Sequence, residues 1–238
     1  MTTPTTQISV ILVPGAWLGA WAWDRVVGPL RAAGLEPYPV TLPGLDPGDI
    51  DRGTITLDDH ARYVVDLVDT LPGEVVLVGH SAGGTVLSEV VDQRPGRIRR
   101  AVYVDSGPQQ DGAVPNPAIS ADQDEEPLPP WEELGEQSLQ GLSDEDRAEF
   151  ARRAVPHPAA VRRGPVRVGN PARFAVPVTA ICTSLPSEQL LPMAHGGPPF
   201  FTELSEFDVT YVDLPTGHWP MWSRPEDLAD AIARAARS

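Results

Sequence analysis

A serine stands between small residues in the segment 79–83, which reads Gly-His-Ser-Ala-Gly. An apolar run precedes the segment and a second apolar pattern follows it, so we predict that Ser81 lies where a strand turns into a helix. On such a sharp turn the hydroxyl is lifted above the sheet, and the strained backbone needs small neighbours, which the glycines supply. The Ala82 amide is then expected at the helix N-terminus, where unpaired N–H groups favour negative charge. The segment therefore predicts a nucleophilic serine beside an oxyanion donor.

The non-catalytic interpretation of the same segment is a glycine-rich turn with a capping serine, or a nucleotide-binding loop. The G-x-G-x-x-G pattern of dinucleotide sites is absent, and a P-loop needs a lysine, which this chain lacks. The bare G-x-S-x-G pattern is only moderately specific, and its strand-to-helix context adds most of its value.

Apolar runs alternate with helical patterns along most of the chain. This alternation predicts an α/β fold with a mostly parallel central sheet and helices on both faces. Strands are predicted over 7–15, 35–44, 74–80, 99–107, 176–183 and 208–216, and helices over 23–34, 56–71, 81–94, 187–197 and 223–238.

Polar residues at the starts of helices predict where the helices begin. Thr56 with Asp59, and Ser223 with Glu226, have the spacing of N-terminal capping pairs, and Ser143 is expected to cap a short helix.

The alternation stops over residues 108–173, a stretch rich in proline and acidic side chains. This stretch is too short and too polar for an independent domain. We therefore predict one domain over 1–238, with 108–173 as an insertion that lies over the sheet as a lid.

The chain carries 18 basic and 33 acidic residues, for a net charge of −15, and every basic residue is arginine. A net negative charge of this size repels phosphates and anionic lipids, so nucleic acid and membranes are not expected partners, and a small neutral or cationic substrate is expected instead. No apolar run approaches the roughly 20 residues of a membrane span, and a cytoplasmic location is expected.

Neither a disulfide nor a metal site is predicted from one cysteine and five scattered histidines. The sequence does not determine whether the protein forms a homo-oligomer.

Four segments, in this order along nearly the whole chain, resemble the α/β-hydrolase superfamily and its small, single-domain esterase-like members. They read LVPGAWLGAWAWD near the start, GHSAGG at the serine, YVDSGPQQDG after the next strand, and PTGHWPM near the end.

The resemblance implies a base and a second oxyanion donor. His218 follows the last predicted strand, where the superfamily places its catalytic histidine, and imidazole can both accept and return a proton near neutral pH. The backbone amide of Ala16 is the implied second donor, although Pro14 stands where relatives usually have histidine.

The acid is less well defined. Relatives most often place an aspartate in the loop after the penultimate strand, where this chain has Leu185 and Pro186. Asp105, at the end of the strand after the nucleophile helix, is the preferred candidate. Glu188 is the main alternative, and Asp213 or a dyad without an acid are others.

These roles imply that a small neutral, apolar carboxylic ester or lactone is cleaved through an acyl-enzyme, without a metal or other cofactor. Trp17, Trp131 and Trp219 are candidate substrate contacts. A cofactor-free perhydrolase, a carbon-carbon hydrolase and a non-catalytic ligand-binding protein are the alternatives. A hydroxynitrile lyase is disfavoured because no lysine is present, and an epoxide hydrolase or haloalkane dehalogenase because the turn carries serine.

Overall fold

The computed structural model describes residues 7–48, 51–197 and 199–238. Its eight strands within these ranges are β1 (Ile8–Val13), β2 (Leu35–Pro39), β3 (Val75–His80), β4 (Ile98–Val104), β5 (Glu125–Glu126), β6 (His157–Pro158), β7 (Val178–Cys182) and β8 (Val209–Asp213). The α-helices are α1 (Asp24–Ala32), α2 (Leu57–Thr70), α3 (Ala82–Gln93), α4 (Trp131–Leu134), α5 (Asp144–Arg153), α6 (Ala159–Arg163), α7 (Ser187–Ala194), α8 (Pro199–Thr202), α9 (Pro220–Ser223) and α10 (Pro225–Arg237).

Six strands form one parallel sheet in the order β2-β1-β3-β4-β7-β8. Because all six run the same way, their carboxyl ends meet at one edge. The register aligns Val13 with Gly79 and His80 with Val104 across that edge. The predicted fold class is confirmed, and the loops that follow β1, β3, β4, β7 and β8 are brought to the same end of the sheet.

Apolar side chains cover both faces of the sheet, as a parallel sheet between helices requires. Every residue of β3 is buried, and its alternate side chains enter two separate core clusters: Val76 and Val78 join one, Val75 and Leu77 the other. This two-sided packing holds the end of β3 rigidly in place.

Two of the predicted helix starts are confirmed and one is wrong. Thr56 and Ser143 each form a reciprocal capping box, with Asp59 and Asp146 respectively. Ser223 does not cap the terminal helix, because it ends the short helix α9, where its hydroxyl donates to the Trp219 carbonyl at 3.3 Å. Arg224 takes the N-cap position of α10.

The stretch between β4 and β7 contains α4, α5 and α6, a 3-10 helix over Pro171–Ala175, and a two-residue antiparallel ladder between β5 and β6. Phe150 of α5 is fully buried and lies at the centre of the aromatic contacts of this stretch. Its ring lies 5.0 to 6.4 Å, centroid to centroid, from the rings of Trp21, Trp131, Trp219 and Trp222. The stretch thus shares a core with the rest of the chain.

Among the described residues, no helix is both long and apolar enough to span a bilayer.

Two buried histidines join the insertion to the body of the protein. The rings of His60 in α2 and His157 in β6 meet edge to face, with centroids 5.7 Å apart. Burial lowers the pKa of His60 to about 4. Burial, together with the nearby His60 and Arg162, lowers the pKa of His157 well below its usual value. Both rings are therefore neutral in the folded protein at neutral pH.

We predict that stability falls between pH 6.5 and 5, because the unfolded chain binds protons on these histidines and the folded chain does not. One histidine that stays neutral when folded contributes a loss of about 2 kcal/mol over this interval. Urea unfolding at pH 7, 6 and 5 measures the slope, and His157→Phe should make it shallower. His195→Phe, at an exposed position, is the matched control. Equal slopes for His157→Phe and the parent protein would contradict the prediction.

Candidate active site

Ser81 occupies the turn between the end of β3 and the start of α3. Its backbone has φ 52° and ψ −120°, a conformation that non-glycine residues rarely adopt. Its amide donates to the Val104 carbonyl at 3.1 Å, and its carbonyl accepts from the Gly84 amide at 2.9 Å. The neighbouring strand and the helix therefore hold the strained turn from both sides, as the sequence predicted for a strand-to-helix turn.

The glycines around Ser81 are required by close backbone approach. A Cβ atom added to Gly83 would lie 2.6 Å from the Val13 carbonyl oxygen and 2.7 Å from that of Pro14. A Cβ atom on Gly79 would lie 2.8 Å from the Gly83 carbonyl oxygen. The small residues let α3 begin directly against the end of β1.

His218 lies in the loop after β8, with its ring directed at Asp105. The distance from His218 Nδ1 to Asp105 Oδ2 is 2.5 Å. The His218 amide donates to the Ser138 carbonyl at 2.7 Å, and the Gly217 amide donates to the Gln140 carbonyl at 3.0 Å. The histidine loop is thus fixed by its side chain on one side and by the insertion on the other.

Asp105 follows β4 directly and has φ 47°, so it also lies on a strained backbone turn. Its Oδ1 accepts from the amides of Thr183 and Ser184 at 3.2 and 2.9 Å, and its Oδ2 accepts from the Ser184 hydroxyl at 2.6 Å. Burial alone raises the pKa of this carboxyl, but the hydrogen bonds with His218, Ser184 and Thr183 outweigh burial and hold the pKa well below its usual range. Asp105 is therefore ionised and can orient the His218 imidazole.

His80, the residue before Ser81, contacts the backbone of the histidine loop through its side chain. Its Nε2 lies 2.6 Å from the His218 carbonyl oxygen, and the two rings are 4.8 Å apart. Complete burial, with the nearby His218, lowers the pKa of His80 to about 3. The neutral ring must carry its proton on Nε2 to donate to that carbonyl.

The two alternative acids lie elsewhere. Glu188 is exposed in the first turn of α7. Asp213 accepts hydrogen bonds from the Ser187 amide and hydroxyl at 2.7 and 2.6 Å, at the start of the same helix.

A cavity of about 410 Å³ opens above Ser81, and we refer to it as the Ser81 cavity. Ser81, Ala82, Asp105 and His218 all line it. Its apolar walls come from the sheet, the insertion and the segment that follows β7. They are formed by Ile181 of β7, by Pro115 and Val161 of the insertion, and by Leu185, Leu190 and Phe201 beyond β7. The volume and the lining suit a small, largely apolar molecule.

The two predicted oxyanion donors belong to segments that meet at the serine turn: Ala82 directly follows Ser81, and Ala16 follows Gly15, where an added Cβ atom would lie 3.1 Å from Ser81 Cβ. Within the part of the chain that the structure describes, neither the Ala16 nor the Ala82 amide donates a hydrogen bond to another protein group. Ala16 lies in the loop after β1, and Ala82 is the first residue of α3. Among the described residues, no group of three histidine, cysteine or acidic side chains could hold a metal ion.

None of the three predicted substrate-contact tryptophans is among the described residues that line the Ser81 cavity. Trp17 and Trp219 are buried in the core, and Trp131 is partly buried and packs against it. The indole of Trp17 donates to the Glu126 carbonyl at 2.9 Å. Trp131 and Trp219 both pack against Phe150. The apolar residues that do line the cavity are aliphatic, with Phe201 the aromatic among those described.

Sequence reasoning missed two polar residues of this region. Ser184 holds the carboxylate of Asp105, and Arg162 lines the cavity from α6. Ser184 lies in the loop after β7, where relatives most often have the catalytic aspartate. A hydroxyl at this position could have indicated a hydrogen-bond donor to an acid on the neighbouring strand. Nothing in the local sequence around Arg162 distinguishes it from the arginine beside it.

Residues 10–231 match the model of the Alpha/beta hydrolase family, and the chain belongs to this family. It is similar to putative methylesterase 14, chloroplastic, of Arabidopsis thaliana, with 37% identity over 108 residues, 44% of this chain and 31% of that protein. It is also similar to the carbendazim hydrolyzing esterase of a Nocardioides species, with 35% identity over 98 residues, 40% of each chain. These alignments therefore span less than half the length of either curated relative.

Solved structures extend the similarity to the whole chain. The methylesterase protein MES16 from Arabidopsis superimposes with a TM-score of 0.77 at 25% identity, covering 97% of this chain and 99% of that chain. An extracellular alpha/beta-hydrolase from a Paenibacillus species has a TM-score of 0.78 at 20% identity, covering 97% and 100%, and supports the fold alone.

We predict that Gly217→Ala displaces His218. An added Cβ atom would lie 2.4 Å from the Ser138 carbonyl oxygen and 2.5 Å from that of Gln140, so the histidine loop must shift away from the insertion. A shift of about 1 Å at a reacting group costs roughly a hundredfold in kcat. Ester hydrolysis kinetics test this, with Gly96→Ala, which meets no atom within 4 Å, as control. Unchanged kcat in Gly217→Ala would show that the loop tolerates the displacement.

Proposed function

We propose that this protein is a serine hydrolase that cleaves small carboxylic esters. Ser81 is the nucleophile, His218 the base and Asp105 the acid that orients the histidine. The observation that carries the proposal is a strained serine that shares one cavity with a histidine held at 2.5 Å by a buried carboxylate.

The reaction proceeds through an acyl-enzyme. Ser81 Oγ attacks the ester carbonyl carbon while His218 Nε2 accepts the hydroxyl proton, and Asp105 stabilises the imidazolium that forms. The carbon–oxygen bond to the alcohol then breaks, and His218 returns the proton to the leaving oxygen. Water, activated by the same histidine, attacks the acyl-enzyme, so that the acid is released and Ser81 is restored.

The amides of Ala16 and Ala82 hold the negative oxygen of the tetrahedral intermediate. Support comes from the contact of the Gly15–Ala16 loop with Ser81, from the position of Ala82 at the start of α3, and from the lack of a protein acceptor for either amide among the described residues. Two fixed N–H donors, one of them at a helix start, stabilise developing charge without reorganisation.

The substrate class follows from the cavity and from the relatives. A space of about 410 Å³ with aliphatic walls suits the ester of a small, largely apolar acid. Several relatives carry the name methylesterase, and we propose a methyl or other short-alcohol ester. The insertion over 108–173 acts as the lid, because it contributes Pro115, Val161 and Arg162 to the cavity. A cytoplasmic location and a single domain over 1–238 stay predictions.

We predict that Ser81→Ala lowers kcat/KM for p-nitrophenyl acetate by at least about ten-thousandfold, because the nucleophile is lost. Ser205→Ala, at an exposed serine, is the matched control and should be unchanged. An organophosphate should label Ser81 in the parent protein, as seen by peptide mass analysis. Turnover that survives in Ser81→Ala would refute the mechanism, and labelling or ligand binding without turnover would indicate a binding protein.

The acid is tested separately. Asp105→Asn keeps an oxygen for the loop amides but removes the charge that holds the imidazole tautomer, so we expect kcat to fall about a thousandfold or more. Glu188→Gln should change kcat by less than about twofold, because Glu188 is exposed on α7. The reverse result, with Glu188→Gln inactive and Asp105→Asn active, would assign the acid to Glu188.

A further inference from the structure

Arg162 is an unexpected residue in the wall of the Ser81 cavity. Apart from the Asp105 carboxylate and the His218 imidazole, it is the one acidic or basic side chain among the described residues that line this space. An arginine remains charged whatever its surroundings, and charge in an otherwise aliphatic wall is costly unless it meets acceptors. The wall at this point is therefore built to hold hydrogen-bond donors.

The Arg162 side chain is fixed by a small polar cluster in the insertion. Its Nη1 donates to Glu126 Oε2 at 2.6 Å, and Glu126 Oε1 accepts from Asn116 Nδ2 at 3.0 Å. The Glu126 carbonyl accepts from the Trp17 indole at 2.9 Å, and the guanidinium carbon lies 5.7 Å from the centre of the Trp17 ring. Both carboxylate oxygens of Glu126 are thus occupied, and the guanidinium is held against the body of the protein.

The guanidinium keeps donors that the protein does not use. A guanidinium has five N–H groups, yet the described residues accept one side-chain hydrogen bond from Arg162, the one to Glu126. Its Nε is closed off from solvent and has no partner among those residues, whereas 21% of the side chain stays exposed, so the donors left for the cavity are the remaining Nη N–H groups. Because Glu126 balances the charge, the pair is neutral overall and favours a neutral acceptor over an anion, which would also meet the Glu126 carboxylate and the chain's net charge of −15.

We propose that Arg162 is a specificity-determining residue that donates a hydrogen bond to a second, carbonyl-type oxygen of the ester substrate. The inference rests on the proposed ester hydrolysis and narrows its substrate class to small esters with a carbonyl group beyond the scissile bond. Arg162 positions the substrate and takes no part in proton transfer.

The test compares esters that differ only at the second oxygen. Methyl 4-oxopentanoate, 5-oxohexanoate and 6-oxoheptanoate scan the distance between the two groups. Methyl 4-methylpentanoate, 5-methylhexanoate and 6-methylheptanoate are their isosteres, with a methyl group in place of the ketone oxygen. We expect one keto ester to exceed its isostere about tenfold in kcat/KM, which is the effect of one charge-assisted hydrogen bond. Monomethyl glutarate, an anionic ester, should be poorer than methyl 5-oxohexanoate.

Arg162→Met should remove the preference for the keto ester, so that kcat/KM for this ester and for its apolar isostere agree within about threefold in the variant. Arg163→Met is the matched control, because Arg163 adjoins Arg162 in α6 but donates to the Ser120 and Gln123 carbonyls at 2.8 and 2.7 Å. This variant should keep the preference. Thermal melting of both variants verifies that they are folded.

Glu126→Gln gives an independent test, because it leaves Arg162 in place and removes the balancing charge. We expect it to raise kcat/KM for monomethyl glutarate about tenfold relative to methyl 5-oxohexanoate. Equal rates for every keto ester and its isostere in an active parent protein would overturn the role of Arg162 and leave the esterase proposal standing. So would a preference that survives in Arg162→Met. A parent protein that hydrolyses none of the esters would overturn both.

Discussion

The hydrogen bond between His218 and Asp105 joins two residues that lie 113 positions apart, and the arrangement of the site depends on it. It ties the loop after β8 to the end of β4, across the intervening strand β7. A buried carboxylate is costly unless several donors satisfy it. Here two backbone amides, a hydroxyl and an imidazole do so, and the result is an ionised group on a rigid strand end. The hydrogen bond to this fixed carboxylate in turn fixes the orientation of the His218 ring.

Strain is concentrated at the same edge of the sheet. Ser81 and Asp105 end neighbouring strands, and both have positive φ values without being glycine. Such conformations persist only where the surroundings determine them. The fully buried β3 and the close approach of Gly83 to the Val13 carbonyl supply that constraint at Ser81, and the bonds from Thr183 and Ser184 supply it at Asp105.

The sequence predicted well the secondary-structure elements, because these depend on interactions between residues that are close along the chain. All six strands of the sheet and the helices around Ser81 follow from apolar runs, glycine placement and capping residues. The Ser223 cap was wrong because α9, four residues long, competes for the same serine. The choice between Asp105 and Glu188 depends on which strand end faces His218, and sequence spacing does not determine that. The tryptophans show the same limit, because a large apolar side chain fits a core or a cavity wall equally well. Here Trp17 and Trp219 are buried in the core, and the partly buried Trp131 packs against it.

Because Asp105 lies after β4, the charged acid and part of the cavity wall belong to two different loops, the one after β4 and the one after β7. The segment after β7 supplies only two amides and one hydroxyl to the acid, while Leu185 and Leu190, a little further on, form part of the cavity wall. This segment can therefore change its side chains beyond Ser184 and reshape the space for the substrate without moving a charge. Under the proposed mechanism, the shape of the substrate cavity and the proton transfer can therefore be altered independently in protein engineering.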